Sequence, residues 1–211
     1  MKLENTIKTL EWVSDNILNV AKASSFSAED AVITDIMVKI NPDFKFFTID
    51  TGRLPKETFE IMKATEKKYG IKFEVIKPDE KEVGYMVLQY GKDLFRDSVF
   101  KRKHCCLLRK VRPLEKKLKG LNGWITGLRR EQTGRENTQR FQMDRGTLKI
   151  NPIVDWTWDE VYDYVRDNSL PFQEICGYVY DKRNVNCEPC IRNSVKWWWE
   201  TNGDKECGMH L

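Results

Sequence analysis

No run of apolar residues in this 211-residue chain approaches the about 20 needed to cross a bilayer. The sequence therefore predicts no membrane association. Charge of one sign is not in excess either: 36 basic residues stand against 32 acidic ones, a net of +4. That balance does not argue for a nucleic-acid partner, although it suits a site for a small anion. Repeats, low-complexity tracts and long linkers are missing, so the length predicts one domain over residues 1–211. The opening MKLENTIKTLEW lacks the apolar core of an export signal. Leu3, Ile7, Leu10, Val13 and Ile17 instead recur at helical spacing, which predicts an amphipathic helix in a cytoplasmic protein.

With 40% hydrophobic residues the chain can bury a proper core. Its six cysteines, in a reducing compartment, are not expected to form a disulfide framework. Metal binding or thiol chemistry is the question they raise.

Strand-like and helix-like stretches alternate along the first half. A short, weak strand at 19–23 precedes SSFSAEDAVITDIMVKI, which turns from small polar residues into an apolar-periodic helix. Residues 44–49 (FKFFTI) form a strong strand candidate. The helix after it has Pro55 suited to its first turn and Gly70 to its stop. A strand at 71–76, a helix at 80–90, a helical segment at 113–118 and a strand at 123–128 follow. Thr157 and Glu160 have capping-box form and open a helix to about residue 167. This order predicts a doubly wound, mostly parallel α/β sheet, with ligands at the carboxyl ends of its strands.

Five features carry chemistry. Ser25, Phe26, Ser27 and Ala28 would form a turn between the first strand and its helix, where hydroxyls and N–H groups could meet a phosphate. No Gly-Lys-Ser/Thr follows, so it is not a Walker loop, and an ordinary N-capping turn is the plainer alternative. Asp50, Thr51 and Gly52 close the next strand, where an acid could read a ribose or base and a glycine admits a ligand. Asp and Gly are also routine in such turns.

The third feature is the set Cys105, Cys106, Cys187 and Cys190. An adjacent pair is awkward for tetrahedral zinc and suits a polynuclear iron–sulfur cluster better, because each thiolate can bind a different iron; four unrelated core or surface thiols are the plainer alternative. Lys110, four residues beyond Cys106, would share its helix face and could touch an anionic substrate. Fourth, Arg129 and Arg130 follow a strand and could fork onto phosphate or sulfate oxygens, or simply be solvated. Fifth, Cys207 lies in a C-terminal tail (about 200–211) between Lys205 and His210. Neighbouring cations favour the thiolate that a nucleophile requires, whereas an incidental thiol on a frayed tail is the plainer reading. The Trp197–Trp198–Trp199 run before this tail could anchor it.

Taken together, SFSAEDAV, FFTIDTGRLPKET, CCLLRKVRPL, WITGLRREQT, the C-x-x-C at 187–190, KWWWE and ECGMH resemble the assimilatory adenylyl-sulfate and phosphoadenylyl-sulfate reductases. The resemblance runs from about residue 25 to the end. It implies an adenine-nucleotide α-hydrolase-like (PP-loop type) fold. It implies that Cys207 attacks the sulfur of adenylyl sulfate, expels AMP and leaves an S-sulfocysteine, from which a separate thioredoxin or glutaredoxin releases sulfite. Cys105, Cys106, Cys187 and Cys190 would hold a [4Fe–4S] cluster, with Lys110 between cluster and substrate. The Ser25–Ala28 turn and the Asp50–Gly52 strand end would cradle the nucleotide. Arg129 or Arg130, with Arg192, Lys196 and His210, would complete the substrate contacts.

Ser27 departs from the glycine usual in that turn, and the IRNSVK segment holding Arg192 and Lys196 is short for the family. Cys176 matches no family role. A reductase for the 3′-phosphorylated or for both nucleotides is the near alternative. A PP-loop ATP-dependent enzyme and a metal-bearing binding module are the distant ones. A homo-oligomer is compatible with the sequence.

Overall fold

The computed structural model describes residues 1–132 and 136–172. Helix α1 (Lys2–Asn16) leads into strand β1 (Val20–Ala23), then α2 (Ala28–Ile40), β2 (Lys45–Ile49), α3 (Lys56–Tyr69), β3 (Phe73–Ile76) and α4 (Glu80–Tyr90). After a short 3₁₀ turn at Leu94–Arg96, helix α5 (Val99–Cys106) continues through a π-helical turn at Leu107–Val111 into α6 (Arg112–Leu118). Strand β4 (Gly123–Ile125), the hairpin β5 (Phe141–Asp144) and β6 (Thr147–Ile150), and helix α7 (Trp158–Asp167) complete the described chain. No helix among the described residues is long and apolar enough to cross a membrane.

The six strands form one sheet in the order β3-β2-β1-β4-β6-β5. Pairing is parallel for β1 with β2, β1 with β4, and β4 with β6. The expected doubly wound α/β architecture is therefore present. The chain runs from β1 outward through β2 and β3, then returns to the other side of β1 with β4. The crevice between β1 and β4 is thus the topological switch point where such sheets take ligands. One edge departs from the parallel pattern: β5 runs antiparallel to β6. Their two-residue loop puts Arg145 and Gly146 at φ 51° and 74°, the left-handed pair that suits the twist of a tight hairpin.

The chain divides into two compact units. The first comprises Met1–Thr48, Lys56–Glu74 and the described residues from Leu118 onward. Its core joins Leu10 and Val13 of α1, Val32, Ile33, Ile36 and Met37 of α2, Ile125 and Ile150 of the sheet, and Val161 and Val165 of α7. Asp35 on α2 accepts hydrogen bonds from Tyr69 (2.9 Å), Tyr164 (2.7 Å) and Lys39 (2.6 Å), which ties three helices together. Thr157 caps α7 in the capping box expected from its sequence. The second unit includes Ile49–Pro55 and Val75–Lys117. Its smaller core is formed by Met86, Leu94, Phe95, Cys105 and Leu108.

Candidate active site

The turn after β1 is built around a buried ion pair. Lys22 stands in the middle of a central strand, is fully buried, and reaches Asp30 of α2. A lone charge there would be prohibitive, so the pairing is obligatory. The other oxygen of Asp30 accepts from the Ser25 N–H at 2.6 Å and from the Ser25 hydroxyl at 2.7 Å. Phe26 lies at φ 64°, a strained conformation for a bulky residue. Its N–H donates to Ser24 Oγ at 3.2 Å, and its buried ring packs edge-on against Phe73 at 4.9 Å. Ser27 is the N-cap of α2, with its hydroxyl accepting from the Asp30 N–H. Its φ of −68° is ordinary, so glycine is not needed there, and the serine supplies a cap that glycine lacks. Ala28 begins the helix and is buried.

The loop after β4 meets this turn. A Cβ on Gly127 would stand 2.9 Å from Cβ of Glu29, so residue 127 must be small for the loop to close on α2. Thr126 donates to the buried Asn151 at 2.5 Å. Arg129 is buried and forks onto Glu29, with Nε and Nη2 at 3.1 and 3.0 Å from Oε1. Its Nη1 pairs with Glu131, whose carboxylate also accepts from the Trp158 N–H at the start of α7. Arg130 pairs with Asp155 and donates to the carbonyl of Thr138, and its side chain keeps 41% exposure. Of the two arginines, Arg129 is committed to protein carboxylates, whereas Arg130 retains a solvent-facing side.

In the second unit, the loop after β2 folds by local side-chain bonds. Asp50 accepts from the Gly52 N–H at 2.9 Å, and Thr51 Oγ1 accepts from the Arg53 N–H at 3.2 Å. Gly52 sits at φ 70°. Arg53 pairs with Asp93 at 2.6 Å and lies 5.3 Å from the Phe95 ring centroid. Arg109 Nη1 donates to the Thr51 carbonyl at 2.7 Å and would be 3.3 Å from a Cβ on Gly52. The strand end and the cysteine-bearing helix are therefore directly joined.

Cys105 is buried and Cys106 half-buried at the end of α5. Three cations on the same segment are also buried: Arg102, Arg109 and Lys110. Arg109 Nε has no hydrogen-bond partner among the described residues. The π turn that follows Cys106 carries two of these cations, and such turns recur at functional sites.

The phosphoadenosine phosphosulfate reductase domain model matches residues 19–193. The chain belongs to that family. It is 35% identical over 97% of its length to an adenosine 5′-phosphosulfate reductase of Allochromatium vinosum, covering 83% of that protein. It is 33% identical over 99% of its length to one of Neisseria meningitidis serogroup A, covering 90%. Among solved structures, a phosphoadenylyl-sulfate reductase of Candida auris, solved with phosphate, aligns with TM-score 0.70 at 23% identity, over 83% of this chain and 85% of that one. An NMN synthetase of Francisella tularensis aligns with TM-score 0.56 at 13% identity, over 81% and 72%. Both likenesses are of fold.

The described residues hold part of the site expected from the sequence. Cys187, Cys190, Arg192, Lys196, Cys207 and His210 lie outside the described residues, as does Cys176. Among the described residues no three Cys, His, Asp or Glu converge as a metal-binding group. The cysteine pair present fits an anionic thiolate-held cluster on one observation, the buried Arg109 Nε that has no hydrogen-bond partner among the described residues and lies three residues beyond Cys106. Residues that sequence reasoning passed over are Lys22, Glu29, Asp30, Arg109 and Asn151. The charge of Lys22 inside a strand and the acidic pair after Ser27 were the signals available for three of them.

Proposed function

We propose that this reductase converts adenylyl sulfate to sulfite and AMP in sulfate assimilation, acting in a reducing, cytoplasmic compartment. The observation that carries the reading is the bond from Arg109 to Thr51, which joins a candidate nucleotide loop to a cysteine pair set among buried cations. The names and extent of the relatives support the substrate.

The Ser25–Ala28 turn and Asp50, Thr51 and Gly52 hold the nucleotide. Arg130, Arg192, Lys196 and His210 meet its phosphate or sulfate oxygens, while Arg129 braces the loop through Glu29 and Glu131. Cys207 as thiolate attacks the sulfuryl sulfur. An S–S bond forms, the S–O bond to phosphate breaks, and AMP leaves as an oxyanion. Lys110 offsets the charge that accumulates on the phosphosulfate. A dithiol protein of the thioredoxin or glutaredoxin class then attacks Cys207 Sγ. Sulfite departs with the bonding electrons, and the second thiol resolves the mixed disulfide, so the dithiol is oxidised and Cys207 is restored.

Cys105, Cys106, Cys187 and Cys190 would hold a [4Fe–4S] cluster. When bound, it would supply a fixed charge and a structural tie, since the electrons arrive through thiol exchange.

The test is intact mass after anaerobic incubation with adenylyl sulfate and no thiol reductant. One added SO₃ mapped to Cys207 is the expected result. No adduct with adenylyl sulfate or its 3′-phospho form, on protein whose metal content is intact, would sink the reading.

A further inference from the structure

We propose that Ser25 is an acceptor-only contact that reads a ribose hydroxyl of the nucleotide and thereby disfavours a ligand phosphorylated at that hydroxyl. The inference rests on the sulfonucleotide reading above and deepens it. It starts from where the protons of the turn go. An ionised carboxylate can only accept. Asp30 is ion-paired with Lys22 through one oxygen, and its other oxygen receives both the N–H and the O–H of Ser25, at 2.6 and 2.7 Å. The next donor, the Phe26 N–H, also turns inward, onto Ser24 Oγ. An anion nest needs successive N–H groups aimed at the ligand, and here the donors of residues 25 and 26 are consumed inside the protein.

Ser25 remains half-buried at the open end of β1, beside the switch point of the sheet. What its oxygen has left to offer is lone pairs, with a carboxylate directly behind them. A phosphate or sulfate, which also presents lone pairs and negative charge, is repelled there. Of the groups on adenylyl sulfate, the phosphosulfate carries no donor, so the partner of Ser25 belongs to the nucleoside. The ribose hydroxyls are the donors that phosphorylation removes. Converting the 3′-hydroxyl to a phosphate replaces a group that Ser25 can accept from with one that it cannot. The Lys22–Asp30 pair makes this arrangement rigid, because neither charge can be left alone in the interior.

The test uses the full-length protein and equilibrium titration with two unreactive nucleotides, AMP and adenosine 3′,5′-bisphosphate. Wild type is expected to bind AMP more tightly by at least about tenfold, the cost of facing an acceptor with an acceptor. Ser25→Ala is expected to lose AMP affinity about fivefold or more while leaving the bisphosphate nearly unchanged, so that the ratio narrows. Ser25→Thr, which keeps the hydroxyl, is expected to restore it. In turnover the Ser25→Ala loss should appear in KM for adenylyl sulfate and not in kcat. A folded Ser25→Ala variant with an unchanged ratio, or a wild type that prefers the bisphosphate, would overturn the proposal. Failure of the reductase reading looks different: AMP binding would keep its dependence on Ser25, but no SO₃ would appear on Cys207.

Discussion

Arg109 donates to the carbonyl of Thr51 at 2.7 Å, across 58 residues of sequence, and this bond joins the end of β2 to the helix of the cysteine pair. Both residues are buried, so the bond is charge-assisted and shielded from water.

Arg109→Ala is expected to destabilise the protein by about 2–4 kcal/mol, because a charge-assisted bond and a well-packed stem are both removed. Arg109→Lys should recover part of this, since an ammonium lacks the fork. Gly52→Ala places a Cβ against the same guanidinium in a left-handed conformation and should cost about 1–2 kcal/mol. Urea unfolding measures all three. Equal stability of Arg109→Ala and wild type would show that the bond contributes nothing.

Gly127→Ala should be more damaging than its size suggests. The added Cβ meets the side-chain stem of Glu29 at 2.9 Å, which forces the loop from α2 and loosens the Arg129 fork. A loss of about 1–3 kcal/mol is expected from overpacking, read as a lower thermal midpoint. A neutral outcome would mean that the loop moves freely.

The pH dependence of stability has a definite sign at Asp35. Burial pushes its pKa up, but the bonds from Lys39, Tyr164 and Tyr69 outweigh it and hold the carboxyl below its ordinary value. Burial, then the bond to Asp35, holds both tyrosine hydroxyls well above theirs. A depressed carboxyl contributes stability that is complete above the unfolded value of about 3.9 and disappears as pH falls through the lower folded value. Asp35→Asn should therefore be less stable than wild type at pH 7 by about 1–3 kcal/mol. The difference should shrink below about pH 4. A gap that stayed constant into acid would contradict the role assigned to Asp35.

Metal content separates the roles of the cysteines. Anaerobically purified wild type should carry iron and acid-labile sulfide in equal amounts, and Cys105→Ser or Cys187→Ser should lose both. Cys207→Ser should keep them while abolishing sulfite release. Zinc without sulfide in the wild type would refute the cluster assignment.

Much of the fold was legible because it rests on local patterns. The alternation of apolar strands with periodic helices, Thr157 with Glu160, and the 3.6-residue spacing of α1 each act within one turn or strand. The β5–β6 hairpin escaped notice even though FQMDRGTLKI alternates around a turn glycine, because a two-residue loop opening with arginine is a weak hairpin signal. The strand expected at 123–128 ends at Ile125: the Thr126 N–H still donates to Ile150, but its hydroxyl turns to Asn151 and Gly127 closes on α2.

By itself, the sequence determined the sheet class and the family. Both depend on periodicity and on motifs contiguous in the chain. Only the tertiary structure decided which way the polar atoms point. It turned the donors of Ser25 inward to Asp30, bound Arg129 to Glu29 one hundred residues away, and set Arg109 on Thr51. Hydrogen-bond direction and the neutralisation of buried charge depend on partners that the fold brings from distant positions, so no local pattern contains them.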